Sequence, residues 1–265
     1  MTAPTPACVP LKTVALPNEH GGWGFTLELV LLGLLVSPGA AGLGLGLAAL
    51  AAFFLRHPLK LWLADLRKGK HFPRTALARR FALLYAGLGV LGLGLAVAYA
   101  SQSFWPPLAL AIPFAAVQLW FDVRNKGRNL LPELCGALAM GSVAAGIALA
   151  GGLEPGLAFG LWLVLAMRAL AAIYYARSQV MRARGREVSR RPAYRAMGLA
   201  IGVLALAALL KLVSWVSLLA LGLLLPFAAW SFSRPPVPAK VVGWTQMGFG
   251  LLIVLVTALG TRLGL

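Results

Sequence analysis

Acidic residues are what this sequence has least of: seven Asp and Glu stand against 24 Lys and Arg, a formal charge of +17 over 265 residues. Only 12% of the chain is charged, where water-soluble domains run at about a quarter. Cysteine is limited to Cys8, in a polar N-terminal stretch, and Cys135, at the start of an apolar run. That pair supports neither a disulfide framework nor a thiolate metal site. The three histidines, His20, His57 and His71, are scattered and form no ligand set. The first 18 residues lack a basic start followed by an apolar core, so no cleaved signal peptide is expected. The apolar runs are continuous rather than alternating, which excludes a β-barrel.

What is present is apolar: 60% of the residues are hydrophobic, and the mean hydropathy is +0.84. Stretches of about 20 apolar residues recur to the C-terminus, the length that crosses a bilayer as a helix. The sequence predicts an all-α polytopic membrane protein with about nine spans. They are expected near 19–37, 41–66, 78–99, 103–121, 132–151, 154–177, 194–211, 213–232 and 239–260. Residues 1–18 read as a cytoplasmic tail, and 19–265 as one transmembrane domain. Ser37-Pro38-Gly39, Ser101-Gln102-Ser103, Gly151-Gly152 and Arg234-Pro235-Pro236 supply turns between spans. No internal repeat stands out.

Connections after the first, third, fifth and seventh spans are short and nearly free of charge. Those after the second, fourth, sixth and eighth carry the cations. On this layout only Lys211 and Arg262 of the 24 Lys and Arg fall on the opposite side. Lys/Arg bias sets orientation, so the N-terminus is expected inside and the C-terminus outside a bacterial plasma membrane. The large positive charge therefore reads as membrane topology and not as nucleic-acid binding.

Two charges stand inside spans. Pro17-Asn18 opens the first helix as a cap, and Glu28 follows among Leu, Phe and Val. Arg168 interrupts "GLWLVLAMRALAAIYYAR" in the sixth span. Counted from the cytoplasmic ends, each lies roughly 12 Å deep at 1.5 Å rise per residue. A charge near the bilayer centre costs about 2.5–3.5 kcal/mol on insertion scales, so neither should face lipid. They are expected to face one interior cavity, paired directly or across water, with a purely structural ion pair as the plain alternative.

Further polar clusters stand at the cytoplasmic ends. The second span closes "RHPLKLWLADLRKGK", giving Arg56, His57, Lys60 and Asp65, with Pro58 removing a backbone donor. The fourth runs into "WFDVRNKGRNLLPE", giving Asp122, Arg124 and Asn125. The sixth finishes "YYARSQVMRARGRE", giving Tyr174, Tyr175, Arg177, Gln179 and Arg182. Arg56, His57, Lys60, Arg168, Arg177 and Arg182 would line a basic pocket open to the cytoplasm, walled by Trp23, Trp62, Tyr174 and Tyr175. Arginine forks suit phosphate or carboxylate. The plain reading of each cation is decoration near lipid headgroups. Glu133, after Pro132, suits the positive end of a helix dipole.

Pro17-Asn18-Glu19-His20-Gly21-Gly22-Trp23 resembles the N-terminal signature of the YwiC-like family of bacterial membrane proteins, where an H-G-x-W element precedes the first span. That resemblance implies a membrane protein of this layout and brings no reaction with it. The layout is also similar to the UbiA prenyltransferase superfamily, a nine-helix bundle with an N-terminus inside and polar loops after helices 2 and 6. Those enzymes hold Mg²⁺ and a substrate pyrophosphate on Asp-rich motifs, the hard oxygen ligands that ion requires. Here the first motif reads Arg56-His57-x-x-Lys60-x-x-x-Ala64, and after Tyr175-Ala176 come Arg177, Gln179 and Arg182. Mg²⁺-dependent prenyl transfer is therefore not expected, and no metal or other cofactor is.

The expected ligand is an anionic amphiphile, an isoprenoid phosphate or a phospholipid, held without metal by His20, Trp23, Glu28, Arg56, His57, Lys60, Asp65, Asp122, Arg124, Arg168, Tyr175, Arg177 and Arg182. Competing readings are a metal-independent transferase or lyase acting on such a lipid, and a transporter of a small anion. No nucleophile–base pair identifies a reaction, and paired broken helices of the kind transporters use are missing. Membrane lipids are the expected partners, and no protein partner is identifiable.

Overall fold

The computed structural model describes residues 10–16, 20–69, 72–124 and 126–265. Among them every regular element is a helix: α1 (Leu11–Ala15), α2 (His20–Val36), α3 (Ala40–Arg67), α4 (Pro73–Tyr99), α5 (Trp105–Val123), α6 (Leu130–Ala150), α7 (Pro155–Ala183), α8 (Arg191–Leu209), α9 (Trp215–Gly222), α10 (Leu224–Ser233) and α11 (Ala239–Leu263). Eight helices are long and apolar enough to cross a membrane, with α9 and α10 joined as one, and the apolar Gly22–Val36 stretch of α2 stands beside them. The protein is a polytopic all-α membrane protein. Its lateral surface carries the exposed Val90, Ile112, Leu119, Leu206 and Leu259. Such a surface suits hydrocarbon, where backbone groups must be satisfied within each helix.

The span between 213 and 232 is expected as one helix, and α9 and α10 form one span, with Leu223 between them still in right-handed helical conformation. Pro226 offers no N–H to the Gly222 carbonyl, so one helix hydrogen bond is unmade there without ending the span. Pro58 and Pro113 lie inside α3 and α5 without ending them. One departure is α7, expected to end at 177 but helical to Ala183.

Neutral turns gather at one end of the bundle. The Ser101 amide donates to the Ala150 carbonyl at 2.8 Å, and Ser37 sits against Gly151. Glu154 caps α7 by accepting from the Leu157 amide at 2.9 Å. Backbone N–H groups of Leu157 and Gly156 hold its carboxyl below the usual carboxylate range. The α8–α9 turn joins this end, with the Leu212 carbonyl against Gly160 and Ser214 against Gly260.

The opposite end is the basic one. Residues 11–15, expected as part of a plain tail, form a short helix docked there. Val14 is buried, the Tyr85 hydroxyl donates to the Ala15 carbonyl at 3.2 Å, and His57 Nε2 lies 3.0 Å from the Thr13 carbonyl.

Lipid tails are as apolar as leucine, so close packing rather than exclusion from water holds such helices together. Small residues make that approach possible. Cβ atoms built on Gly44 and Gly92 would come within 2.5 Å of each other's carbonyl oxygens, so α3 and α4 touch backbone to backbone. Helices α6 and α7 are the most buried of the long helices, and α4 and α5 the least. Leu29, Leu32, Ile147, Leu165 and Val254 form one core between α2, α6, α7 and α11. Val164, Leu204, Leu221, Phe232 and Ile253 form a second one between α7 and α8–α11. Helices α7 and α11 are common to both.

Candidate functional site

Scarce acids meet arginines across helix seams throughout the molecule. Deepest is Glu28 of α2, whose Oε1 accepts from Arg168 Nη2 of α7 at 2.7 Å. The same nitrogen donates to the Gln246 carbonyl of α11, also at 2.7 Å. Glu28 is 4% exposed and Arg168 6%, so the pair is sealed from lipid as its cost demands. A Cβ on Gly250 would lie 1.9 Å from Glu28 Oε1 and 2.3 Å from Arg168 Nη2. The absence of that one carbon lets the ion pair lie against the backbone of α11. The Phe25 ring completes the setting, with the guanidinium carbon 5.9 Å from its centroid.

Three more pairs stand toward the basic end. Asp65 of α3, fully buried, receives Arg74 Nη2 at 2.9 Å and the Thr75 hydroxyl at 2.8 Å, both from the start of α4. Arg56 of α3 pairs with Asp122 of α5. Arg177 of α7 donates to Glu133 of α6 at 2.9 Å and to the Arg128 carbonyl at 3.0 Å. Glu133 thus serves the α6–α7 seam as well as the first turn of its own helix.

The expected pocket residues are distributed accordingly over different seams. Arg182 donates to Gln179 at 2.9 Å and to the Phe232 and Arg234 carbonyls at 3.3 and 3.0 Å, tying α7 to the end of α10. Tyr175 is buried, its hydroxyl 2.7 Å from Ser231 Oγ. Trp23 packs edge-on against Phe53 and Phe54, and Phe54 stacks on Tyr85. Lys60 and Arg124 are exposed, with Arg124 lying over the Trp120 ring at 3.9 Å. The side chain of His20, with Pro17, Asn18, Glu19, Cys8, His71 and Asn125, falls outside the described residues. A recess lined by Val97 and by Ala100 through Trp105 lies at the neutral end, away from these cations.

Among the described residues no three His, Cys, Asp or Glu side chains converge, and Asp65 is committed to Arg74 and Thr75. Sequence reasoning missed Gln246 and Gly250, which complete the deepest site. The signal was available in "AKVVGWTQMGFG", where an amide and a glycine interrupt an apolar span.

Helix α5 lies against α6, and α4 against α3, while α3 also rests on α6. The α3–α4 hairpin and α5 thus stand side by side on α6, and Arg56–Asp122 links their basic ends.

A family model described as YwiC-like protein matches residues 16–148. The match runs from the approach to α2 almost to the end of α6, so it includes Glu28, Asp65, Asp122 and Glu133 and stops before Arg168. No curated protein and no solved structure matches the chain.

Proposed function

The chain belongs to the YwiC-like protein family, and we propose that this integral membrane protein binds an anionic amphiphile, a phosphate-headed lipid, at its basic end. The hydrocarbon tail would lie along the cleft between the α3–α4 hairpin and α5. The headgroup would sit by Arg56, His57, Lys60 and Arg124 without a metal ion. The basic end would face the cytoplasm of a bacterial plasma membrane, because Lys/Arg bias favours that side.

The observation that carries this reading is the position of Arg56–Asp122. It joins α3 to α5, which both rest on α6, at the basic end of the bundle. Lys60 of α3 and Arg124, just past α5, take no carboxylate partner among the described residues. A phosphate between them would gain the charge-assisted contacts that the protein leaves unmade.

Native mass spectrometry of the full chain, purified in mild detergent, tests it. A phosphate-headed lipid should be retained by the wild type and lost from the Lys60→Ala/Arg124→Ala variant. A wild type that carries no lipid, or equal retention by both proteins, would overturn the reading.

A further inference from the structure

The seam between α2, α7 and α11 holds both unmet acceptors and unmet donors. Glu28 Oε2 and Gln246 Oε1 are buried without a hydrogen-bond partner. Arg168 has the reverse surplus. Both of its hydrogen bonds leave from Nη2, and Nε and Nη1, which are not fully buried, take no hydrogen-bond partner among the described residues. Buried polar groups are ordinarily satisfied, and those left over ask for a ligand or a water. Intramembrane ionisable residues mark functional sites by default.

Charge narrows what fits. Helix α2 packs on α3, α6, α7 and α11. Among the described residues, Arg168 is the one charged group that meets Glu28. From α11 come the uncharged Gln246 and Gly250, and no charged side chain of α3 or α6 contacts the carboxylate. The site is therefore neutral as it stands. A bare anion or a bare cation would leave a net charge in the membrane interior, whereas a neutral species carrying an O–H and a second oxygen would leave none.

We propose that this seam binds a small oxyacid, an oxyanion that enters together with a proton. The O–H donates to Glu28 Oε2 or Gln246 Oε1, and the remaining oxygens accept from Arg168 Nε and Nη1, the planar fork suited to them. Loading removes one anion and one proton from water, and no covalent bond changes besides that O–H. This site is separate from the lipid cleft proposed above, and neither depends on the other.

The test uses the full chain in nanodiscs, titrated calorimetrically with formate and, separately, with inorganic phosphate. Buffers of different ionisation heat report the protons taken up. The wild type should bind at least one of the two anions, taking up about one proton per formate or per dihydrogen phosphate and about two per hydrogen phosphate dianion, as neutrality of the loaded site requires. Glu28→Gln, whose site carries a net positive charge, should bind the anion with no proton uptake. Arg168→Gln should weaken binding by at least about tenfold, having lost the charged fork. Failure of the wild type to bind either anion means the seam holds water, and overturns the proposal. Proton-free binding by the wild type overturns it too. Binding unchanged in Arg168→Gln would place the anion among the exposed cations and likewise overturn it. The wild-type proton linkage decides the matter even where a variant fails to fold.

Discussion

Arg168 holds two other helices with one atom, its Nη2 donating to Glu28 of α2 and to the Gln246 carbonyl of α11, both at 2.7 Å. A guanidinium so placed is a fixed point for three spans, and removing either charge leaves the other buried without its partner. Breaking a buried pair from one side costs about 3–5 kcal/mol, because of the charge left behind. Arg168→Leu and Glu28→Leu should each destabilise by about that much, and the double variant by less than their sum. Unfolding in mixed micelles, read as a double-mutant cycle, measures the coupling. Strict additivity would show that the two charges do not depend on each other. Arg177→Ala makes the contrast, since Arg177 and Glu133 are each about one-third exposed. Its cost should stay within about 1 kcal/mol.

Gly250 is the space into which that pair fits. Gly250→Ala would drive a carbon to 1.9 Å from Glu28 Oε1, so the pair or α11 must shift. Overpacking of this kind costs about 1–3 kcal/mol. Gly248, half a turn away, has nothing within 4 Å of its own Cβ position. Gly248→Ala should therefore leave stability unchanged or raise it by up to about 1 kcal/mol through helix propensity. Paired thermal melts of the two variants decide it, and equal losses would point to helix glycine content rather than the ion pair.

Why Glu28 and Arg168 were legible in the sequence, and the other pairs were not, follows from what each depends on. Both sit at similar depth in apolar spans, and the cost of a lone charge there demands a partner. Arg56–Asp122 and Arg177–Glu133 sit at helix ends, where water and headgroups tolerate unpaired charge. Their pairing depends on which helices are neighbours, and hydropathy carries no information on that. The spans themselves were readable because apolar length and charge-free turns are local properties. Helix α1 escaped notice because five residues are too few to show a period, and docking on α3 and α4 is what orders them.

Lys211 carries the one positive φ, 58°, outside glycine among the described residues. It follows the C-cap of α8, and its amide donates to Ala208 while that of Leu212 donates to Ala207, which closes the helix in a left-handed turn. Left-handed backbone costs a side-chain-bearing residue about 1–2 kcal/mol. Lys211→Gly should relieve most of that and raise the thermal midpoint, while Lys211→Ala should not. An equal gain from both would assign the effect to the lost charge.

Orientation can be tested apart from any ligand. The neutral end, with Ser101, and the basic end, with Ser189, lie on opposite sides of the apolar zone, and both serines are exposed. Each is expected to report one side when changed singly to cysteine, in a chain whose Cys8 and Cys135 are replaced by serine. Lys/Arg bias assigns the basic end to the cytoplasm. In intact bacterial cells an impermeant maleimide should then label Ser101→Cys and leave Ser189→Cys unlabelled until the membrane is opened. The reverse pattern would put the cluster of arginines outside, where the phosphate-lipid reading loses its cytoplasmic premise. Labelling of both sites in intact cells would mean that the connections do not alternate across the membrane as the helix order requires.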